Sequence, residues 1–291
     1  MSIVFALASL LFAGCNDFLF KKQAAGGGAR GRYMAVVGVV WMALFAAIGG
    51  FLRGSRPTAA ALLWGLVAGL FSAVANYLLI WSMKRLDASV GSTVYRLNMI
   101  PAALLAFLFL GEAVTLRKAL GLAIGIVAVL LFMNGGGGGR KRAGAEPALW
   151  IAVLASVLRA LMGLAYKMAA AAYTKPEYAA AGPQQEWFLS VQGAVWIAVG
   201  LVAALFLEPP SPLSRRNAAY GIVSGFLVCG VVQFFAKALE LGEASVIIPI
   251  SQMSFLVTTL LSWPLMKERF HARKAAGLCL AVAAILCLSM A

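Results

Sequence analysis

Two arginines inside long apolar stretches are the residues of this chain best suited to do chemistry. Arg159 lies in the middle of the stretch 148–174, and Arg96 lies well inside the stretch 88–110. A charge in hydrocarbon costs roughly 2.5–3.5 kcal/mol on insertion scales, so each arginine is a candidate binding group. Guanidinium groups bind carboxylates and phosphates through paired hydrogen bonds. The arginines therefore predict a site for an anionic group, and an ion pair within the protein is the alternative for each.

A polar helix face accompanies each half of this predicted site. Arg96 shares a face with Ser89, Ser92 and Thr93, because their spacings of 3, 1 and 3 follow the helical period. The stretch 244–266 carries a second such face, formed by Ser251, Ser254, Thr258 and Ser262. We expect both faces to line a cavity, although Ser and Thr also serve simply to let helices pack closely. The other candidate solute-binding groups are Tyr95, Tyr166, Asn76, Gln233 and Gln252.

Five further charges are candidates for coupling or gating. Asp17 lies three residues from the end of its predicted span and is a candidate partner for an arginine or a proton carrier. Lys167 and Lys237 lie nearer span ends, where a lysine can reach the membrane surface. Glu112 and Glu268 lie at helix ends beside Arg and Lys, which favours a structural or gating role over contact with a solute.

The residue types of this chain do not indicate a metal site, a nucleotide-binding site or an enzyme active site. The single histidine, His271, lies in a charged loop, and the four cysteines lie in apolar runs without CxxC spacing. This pattern predicts no metal site, no cofactor and no disulfide framework. No phosphate-binding glycine loop and no cluster of His, Asp, Glu or Cys is present, so neither an ATP-driven pump nor an enzyme is expected.

Composition identifies an integral membrane protein. The chain is 63% hydrophobic and 12% charged, whereas a soluble domain carries roughly 25% charged residues. Because most Lys and Arg lie in short gaps between apolar runs, the net charge of +14 predicts membrane orientation and not nucleic-acid binding. We predict ten membrane-spanning helices, each about 20 residues long: 2–20, 34–52, 59–83, 88–110, 117–134, 148–174, 187–207, 217–239, 244–266 and 274–290.

The chain contains the same stretch twice. Residues 65–131 recur as residues 221–287 at a constant offset of 156 positions, so that Gly65 falls on Gly221 and Glu112 on Glu268. We predict two five-helix repeats, residues 1–134 and 148–291, joined by a glycine-rich basic linker at residues 135–147. An odd number of spans per repeat inverts the second repeat, an arrangement typical of secondary transporters with a midplane site.

These features resemble a known family. Leu110-Gly111-Glu112, followed by Arg117-Lys118 and Gly121, resembles the recurring element of EamA-type members of the drug/metabolite transporter superfamily. The second copy keeps Glu268 and Gly277 but has Lys267 where the family usually has glycine. The resemblance covers nearly the whole chain and implies a carrier of amino acids, sugars, nucleotide derivatives or amphipathic drugs.

We expect a secondary transporter of a small organic metabolite that carries a carboxylate, such as an amino acid, working by alternating access. A flippase for a lipid headgroup and an exporter of amphipathic cations are the alternatives. We expect a monomer in the cytoplasmic (inner) membrane of a bacterium. Most Lys and Arg lie in the odd-numbered gaps, which places both termini outside, whereas the family resemblance implies termini inside. We give the charge count more weight.

Overall fold

The computed structural model describes residues 1–25, 30–83, 95–133, 145–208, 214–266 and 272–291, and within them it has eleven α-helices and no β-strand. The helices are α1 (Ser2–Ala25), α2 (Arg30–Ala47), α3 (Ala59–Met83), α4 (Met99–Phe109), α5 (Leu116–Met133), α6 (Ala145–Tyr173), α7 (Gln185–Val202), α8 (Arg215–Leu241), α9 (Ala244–Gln252), α10 (Phe255–Met266) and α11 (Ala272–Ser289). Short π-helices, Ile48–Leu52 and Ala203–Leu207, extend α2 and α7, and a 3-10 helix, Pro176–Ala181, precedes α7.

The predicted all-helical membrane fold is confirmed, but the predicted number of ten spanning helices is not. Within the described residues, eight segments are long and apolar enough to cross a membrane. They are Ser2–Leu19, Arg30–Leu52, Ala59–Leu79, Pro147–Tyr173, Gln185–Leu207, Arg215–Leu241, Ala244–Ser262 and Ala272–Ser289. Two predicted spans are not among these eight: the fourth, of which the structure describes the shorter helix α4 while residues 88–94 lie outside the described part, and the fifth, which corresponds to helix α5. The predicted ninth span is interrupted, because α9 ends at Gln252 and α10 begins at Phe255.

Contacts between helices show that the two repeats are inverted. The start of the predicted fourth span contacts the end of α9, through Arg96 and Gln252, while Glu112 at its far end contacts Ala244 at the start of α9. The fourth and ninth spans are equivalent by the offset of 156, and they therefore run in opposite directions. The packing follows the same symmetry, since α3 packs on α6 and α7 as α8 packs on α1 and α2.

Glycines allow the central helices of the two repeats, α2 and α7, to cross closely. A Cβ atom on Gly193 would lie 2.5 Å from the backbone nitrogen of Met42, and one on Gly38 would lie 2.7 Å from the carbonyl oxygen of Gly193. Gly31 of α2 and Gly200 of α7, each seven residues (about two helical turns) away from Gly38 and Gly193, allow the same close backbone contact. Backbone contact of this kind is how small residues join helices in lipid, where no hydrophobic driving force acts between them. This crossing therefore fixes the two repeats against each other.

We expect Gly193→Ala to lower the free energy of unfolding by about 1–3 kcal/mol, the usual cost of overpacking. The added methyl would meet the backbone of Met42, which cannot move aside as a side chain can. Gly50→Ala is the matched control, since its Cβ would find only ordinary contacts at 3.7 and 3.8 Å to Trp187. Thermal unfolding in detergent measures both variants, and equal stability of the two would contradict the close-crossing account.

Candidate solute-binding site

The predicted fourth and ninth spans are broken at equivalent positions. The break in the second repeat is at Met253-Ser254, and a turn at Leu97-Asn98 precedes α4 in the first repeat, 156 residues earlier. At both breaks the backbone makes shorter-range hydrogen bonds, from the N–H of Leu256 to the oxygen of Met253 and from that of Ile100 to the oxygen of Leu97. The carbonyl oxygen of Gln252 is thereby released from helical bonding. Interrupted spans of this kind commonly form midplane binding sites in transporters.

Arg96 holds the two breaks together. Its Nη1 donates to the carbonyl oxygen of Gln252 at 3.0 Å and to Oγ of Ser254 at 2.9 Å, while its Nη2 donates to Oδ2 of Asp17 at 3.0 Å. Ser254 Oγ also donates to Oδ2 of Asp17 at 3.0 Å, and the guanidinium lies 5.5 Å from the ring centre of Phe255. Arg96 is therefore already neutralised by a carboxylate, which was the alternative to solute binding at this residue.

Asp17 lies two residues before the end of the candidate span Ser2–Leu19, within helix α1. Helix α1 continues to Ala25, eight residues beyond Asp17, which at 1.5 Å per residue is about 12 Å of helix. The Asp17 side chain is 39% exposed and that of Arg96 is 20% exposed, so the pair is only partly buried by the protein. Only Oδ2 of Asp17 is bonded, and its Oδ1 has no hydrogen-bond partner among the described residues. A carboxylate that the sequence offered as a candidate partner for an arginine thus lies at the break, paired with Arg96.

Arg159 has no carboxylate partner among the residues that the structure describes. It lies at the midpoint of α6, where its Nη1 donates to the sulfur of Met162 at 3.4 Å. Its Nε is buried without a hydrogen-bond partner, and no carboxylate among the described residues lies within salt-bridge distance. A charge in this position is stable only with an internal or a bound partner. The guanidinium of Arg159 is accordingly free to take an anion.

Two tyrosines connect the charges. Tyr95 lies close enough to Arg159, Arg96 and Asp17 for all three charges to act on its hydroxyl group. Tyr166 also lies in the field of Arg159, and its hydroxyl donates to Oε1 of Gln192 at 2.8 Å in a fully buried pair. The three charged side chains, from α1, α6 and the residues before α4, therefore all lie near Tyr95.

Several other candidate residues do not join this region through described contacts. Asn76 donates to the carbonyl of Ser72 in its own helix, at 2.8 Å, and Ser251 donates to that of Ile248, also at 2.8 Å. Gln233 accepts from Gln185 through its backbone oxygen, while its Oε1 is buried without a partner. The candidates Ser92, Thr93 and Glu268 lie outside the described residues.

Glu112 binds the start of α9 from the other repeat. Its carboxylate accepts the backbone N–H of Ala244 at 2.6 Å and that of Ser245 at 2.9 Å. Negative charge at a helix N-terminus is favourable because the first N–H groups lack helical partners. The carboxylate therefore ties the loop after α4 to the start of the interrupted ninth span.

Two lysines bind the turn between α8 and α9 through hydrogen bonds and an ion pair. Lys167 Nζ donates to the carbonyls of Leu239 at 2.8 Å and Gly242 at 2.7 Å, which satisfies the C-terminal end of α8. Lys118, whose side chain is only 3% exposed, pairs with Glu243 and donates to the carbonyl of Ala113 at 2.7 Å. We call this set the end clamp: Glu112, Lys118, Lys167 and residues 239–245. Lys237, the other candidate lysine, pairs at 2.8 Å with Glu240.

The sequence analysis did not select Lys118 and Glu243, although a signal for them existed. Lys118 recurs as Lys274 and Glu243 matches Asp87 at the offset of 156, so an opposite-charge pair is repeated along with the glutamate. Paired charges that recur together indicate a contact more strongly than either does alone. No group of three His, Cys, Asp or Glu side chains that could hold a metal ion is present among the described residues.

Inverted repeats that meet at interrupted spans, with charges at the break, occur in many membrane transporters. The comparisons agree, since the chain matches the EamA-like transporter family over residues 1–134 and again over residues 146–290. The chain belongs to the EamA-like transporter family, which confirms the resemblance drawn from Leu110-Gly111-Glu112. This is a family of membrane transporters of small solutes, and not of enzymes.

A solved structure described as "Crystal structure of protein" is similar to this chain, with a TM-score of 0.83 and 15% sequence identity. The similarity covers 99% of this chain and 96% of that one, and at this identity it concerns the fold alone. No curated protein matches the sequence.

Proposed function

We propose that the protein is a secondary carrier of a small organic solute with an anionic group, such as an amino acid or another carboxylate. Arg159 is the observation that carries the proposal. Its guanidinium lies at the midpoint of a spanning helix without a carboxylate partner in the described part of the chain, and its Nε is unbonded. A bound carboxylate or phosphate would supply the partner that the position requires.

Arg96 has a different role in this proposal. Because Asp17 neutralises it, Arg96 holds the two breaks together, and both Arg96 and Arg159 lie close enough to Tyr95 to act on its hydroxyl group. The solute then binds beside Tyr95, between the two repeats and near the midplane.

Alternating access is the mechanism that this arrangement supports best. The end clamp closes one end of the site by joining α8 and α9 to the loop between α4 and α5. The clamp consists of hydrogen bonds and ion pairs between separate elements, so it can open without breaking any helix. We expect a monomer, since both repeats are in one chain, and a location in the cytoplasmic membrane of a bacterium.

Ligand stabilisation of the purified wild-type protein tests the proposal. A solute at 100 times its dissociation constant should stabilise the fold by about 2.7 kcal/mol. The panel consists of the twenty amino acids, simple carboxylates, phosphorylated metabolites, organic cations and a short-chain phospholipid. We expect thermal shifts with carboxylate solutes. Shifts confined to organic cations would overturn the proposal, and shifts confined to the phospholipid would favour a flippase.

A further inference from the structure

We propose that Asp17 sets the net charge of the transported solute, by neutralising Arg96 so that the cavity carries a single positive charge and takes a monoanion. This inference rests on the proposed function, because it names the solute class of the same site. It follows from which charges meet around Tyr95 and how they are paired.

The charge count is simple in the described part of the chain. Arg96, Arg159 and Asp17 are the charges that act on Tyr95, and they sum to one positive charge. The ion pair between Asp17 and Arg96 is closed at 3.0 Å, whereas Arg159 has no such partner. One bound negative charge therefore neutralises the site, and a second would be desolvated without a cation.

In this proposal Asp17 controls the charge of the bound solute, in addition to holding Arg96 in position. It contacts Arg96 through Oδ2 alone, so the guanidinium is not held in the two-bond arrangement that it can form with a carboxylate. Arg96 keeps two other acceptors, the carbonyl of Gln252 and Oγ of Ser254. Removal of the Asp17 charge would thus leave Arg96 in place with a free charge facing the cavity.

The experiment compares two matched series of probes. The monocarboxylates are propionate, butyrate and hexanoate, and the dicarboxylates of the same lengths are malonate, succinate and adipate, with thermal shift and calorimetry as readouts. In the wild-type protein we expect the monocarboxylate of each length to bind more tightly than the dicarboxylate. In Asp17→Asn the ratio of the two dissociation constants should move towards the dicarboxylate by about tenfold or more, because Arg96 gains the second carboxylate.

A double variant separates charge from structure. Asp17→Asn combined with Arg96→Gln restores a single positive charge, and it should return the selectivity towards that of the wild-type protein. It also serves if Asp17→Asn alone fails to fold, since it removes Arg96 together with the carboxylate that pairs with it. Glu177→Gln, an exposed change in the 3-10 helix, is the matched control for loss of a carboxylate and should leave the ratio unchanged.

The outcomes separate this inference from the function on which it rests. A wild-type protein stabilised only by zwitterionic amino acids, or equally by both series, would overturn the monoanion inference and leave the anion carrier standing. An unchanged ratio in Asp17→Asn, or dicarboxylate preference in the double variant, would also overturn it. No stabilisation by any carboxylate would overturn both.

Discussion

Replacing Arg159 by Gln should weaken carboxylate binding by roughly 30- to 150-fold, which corresponds to about 2–3 kcal/mol for lost charge-assisted hydrogen bonds. The protein itself should remain as stable as before or become more stable. Removing one member of a buried ion pair normally leaves the other uncompensated. Arg159 has no such partner among the described residues, and its Nε is already unbonded. Calorimetry and thermal unfolding in detergent measure the two effects.

Arg96→Gln is the matched comparison, because the same substitution there should have the opposite pattern. It leaves Asp17 without its cation and removes the bonds to Gln252 and Ser254, so thermal stability should fall. Equal loss of stability in the two variants would mean that Arg159 is a structural residue. Unchanged carboxylate binding in Arg159→Gln would mean that it is not the anchor.

Glu112→Gln should open the end clamp. A neutral amide can accept with its oxygen but not with its NH2 group, so it cannot replace the charged contacts to Ala244 and Ser245. A loss of about 1–2 kcal/mol at this helix N-terminus would raise the open fraction by roughly 5- to 30-fold. Since the clamp joins separate elements, we expect a shift of population and not unfolding.

Distances between spin labels measure the opening. Labels at Val114 and Leu241, which are 68% and 49% exposed, report on the two sides of the clamp. The labelling background replaces the four cysteines, all of which are free in the structure. Glu112→Gln should add a longer component to the distance distribution, whereas the Glu177→Gln control should not. An unchanged distribution in Glu112→Gln would show that the clamp does not control this end.

The helical fold and the two repeats could be predicted, because both follow from periodic patterns in the sequence. The offset of 156 and the odd number of predicted spans implied inverted repeats, and the contacts of Arg96 and Glu112 with α9 have that arrangement. The first break also has a cause in the sequence, because Pro101 has no N–H to bond the oxygen of Leu97, which Ile100 bonds instead. The second repeat has Val257 at the equivalent position, so proline does not explain its break.

The sequence could not predict which charges meet. Asp17 belongs to α1 and Arg96 to another element 79 residues later, and only the packing of α1 against α9 and α10 brings them together. Asp17 lies near the end of the candidate span Ser2–Leu19, and helix α1 continues beyond that span to Ala25. Pairing decides the role of each arginine, and pairing is a property of tertiary structure.

Counterflow in proteoliposomes tests the central claim most directly, namely that Arg159 anchors an anionic solute that the protein carries across the membrane. Vesicles are preloaded with the carboxylate that stabilises the wild-type protein best, and uptake of the same labelled compound is followed. We predict that preloading accelerates uptake by the wild-type protein and that Arg159→Gln abolishes the acceleration while remaining folded. Uptake that is indifferent to preloading, or unchanged in Arg159→Gln, would contradict the account.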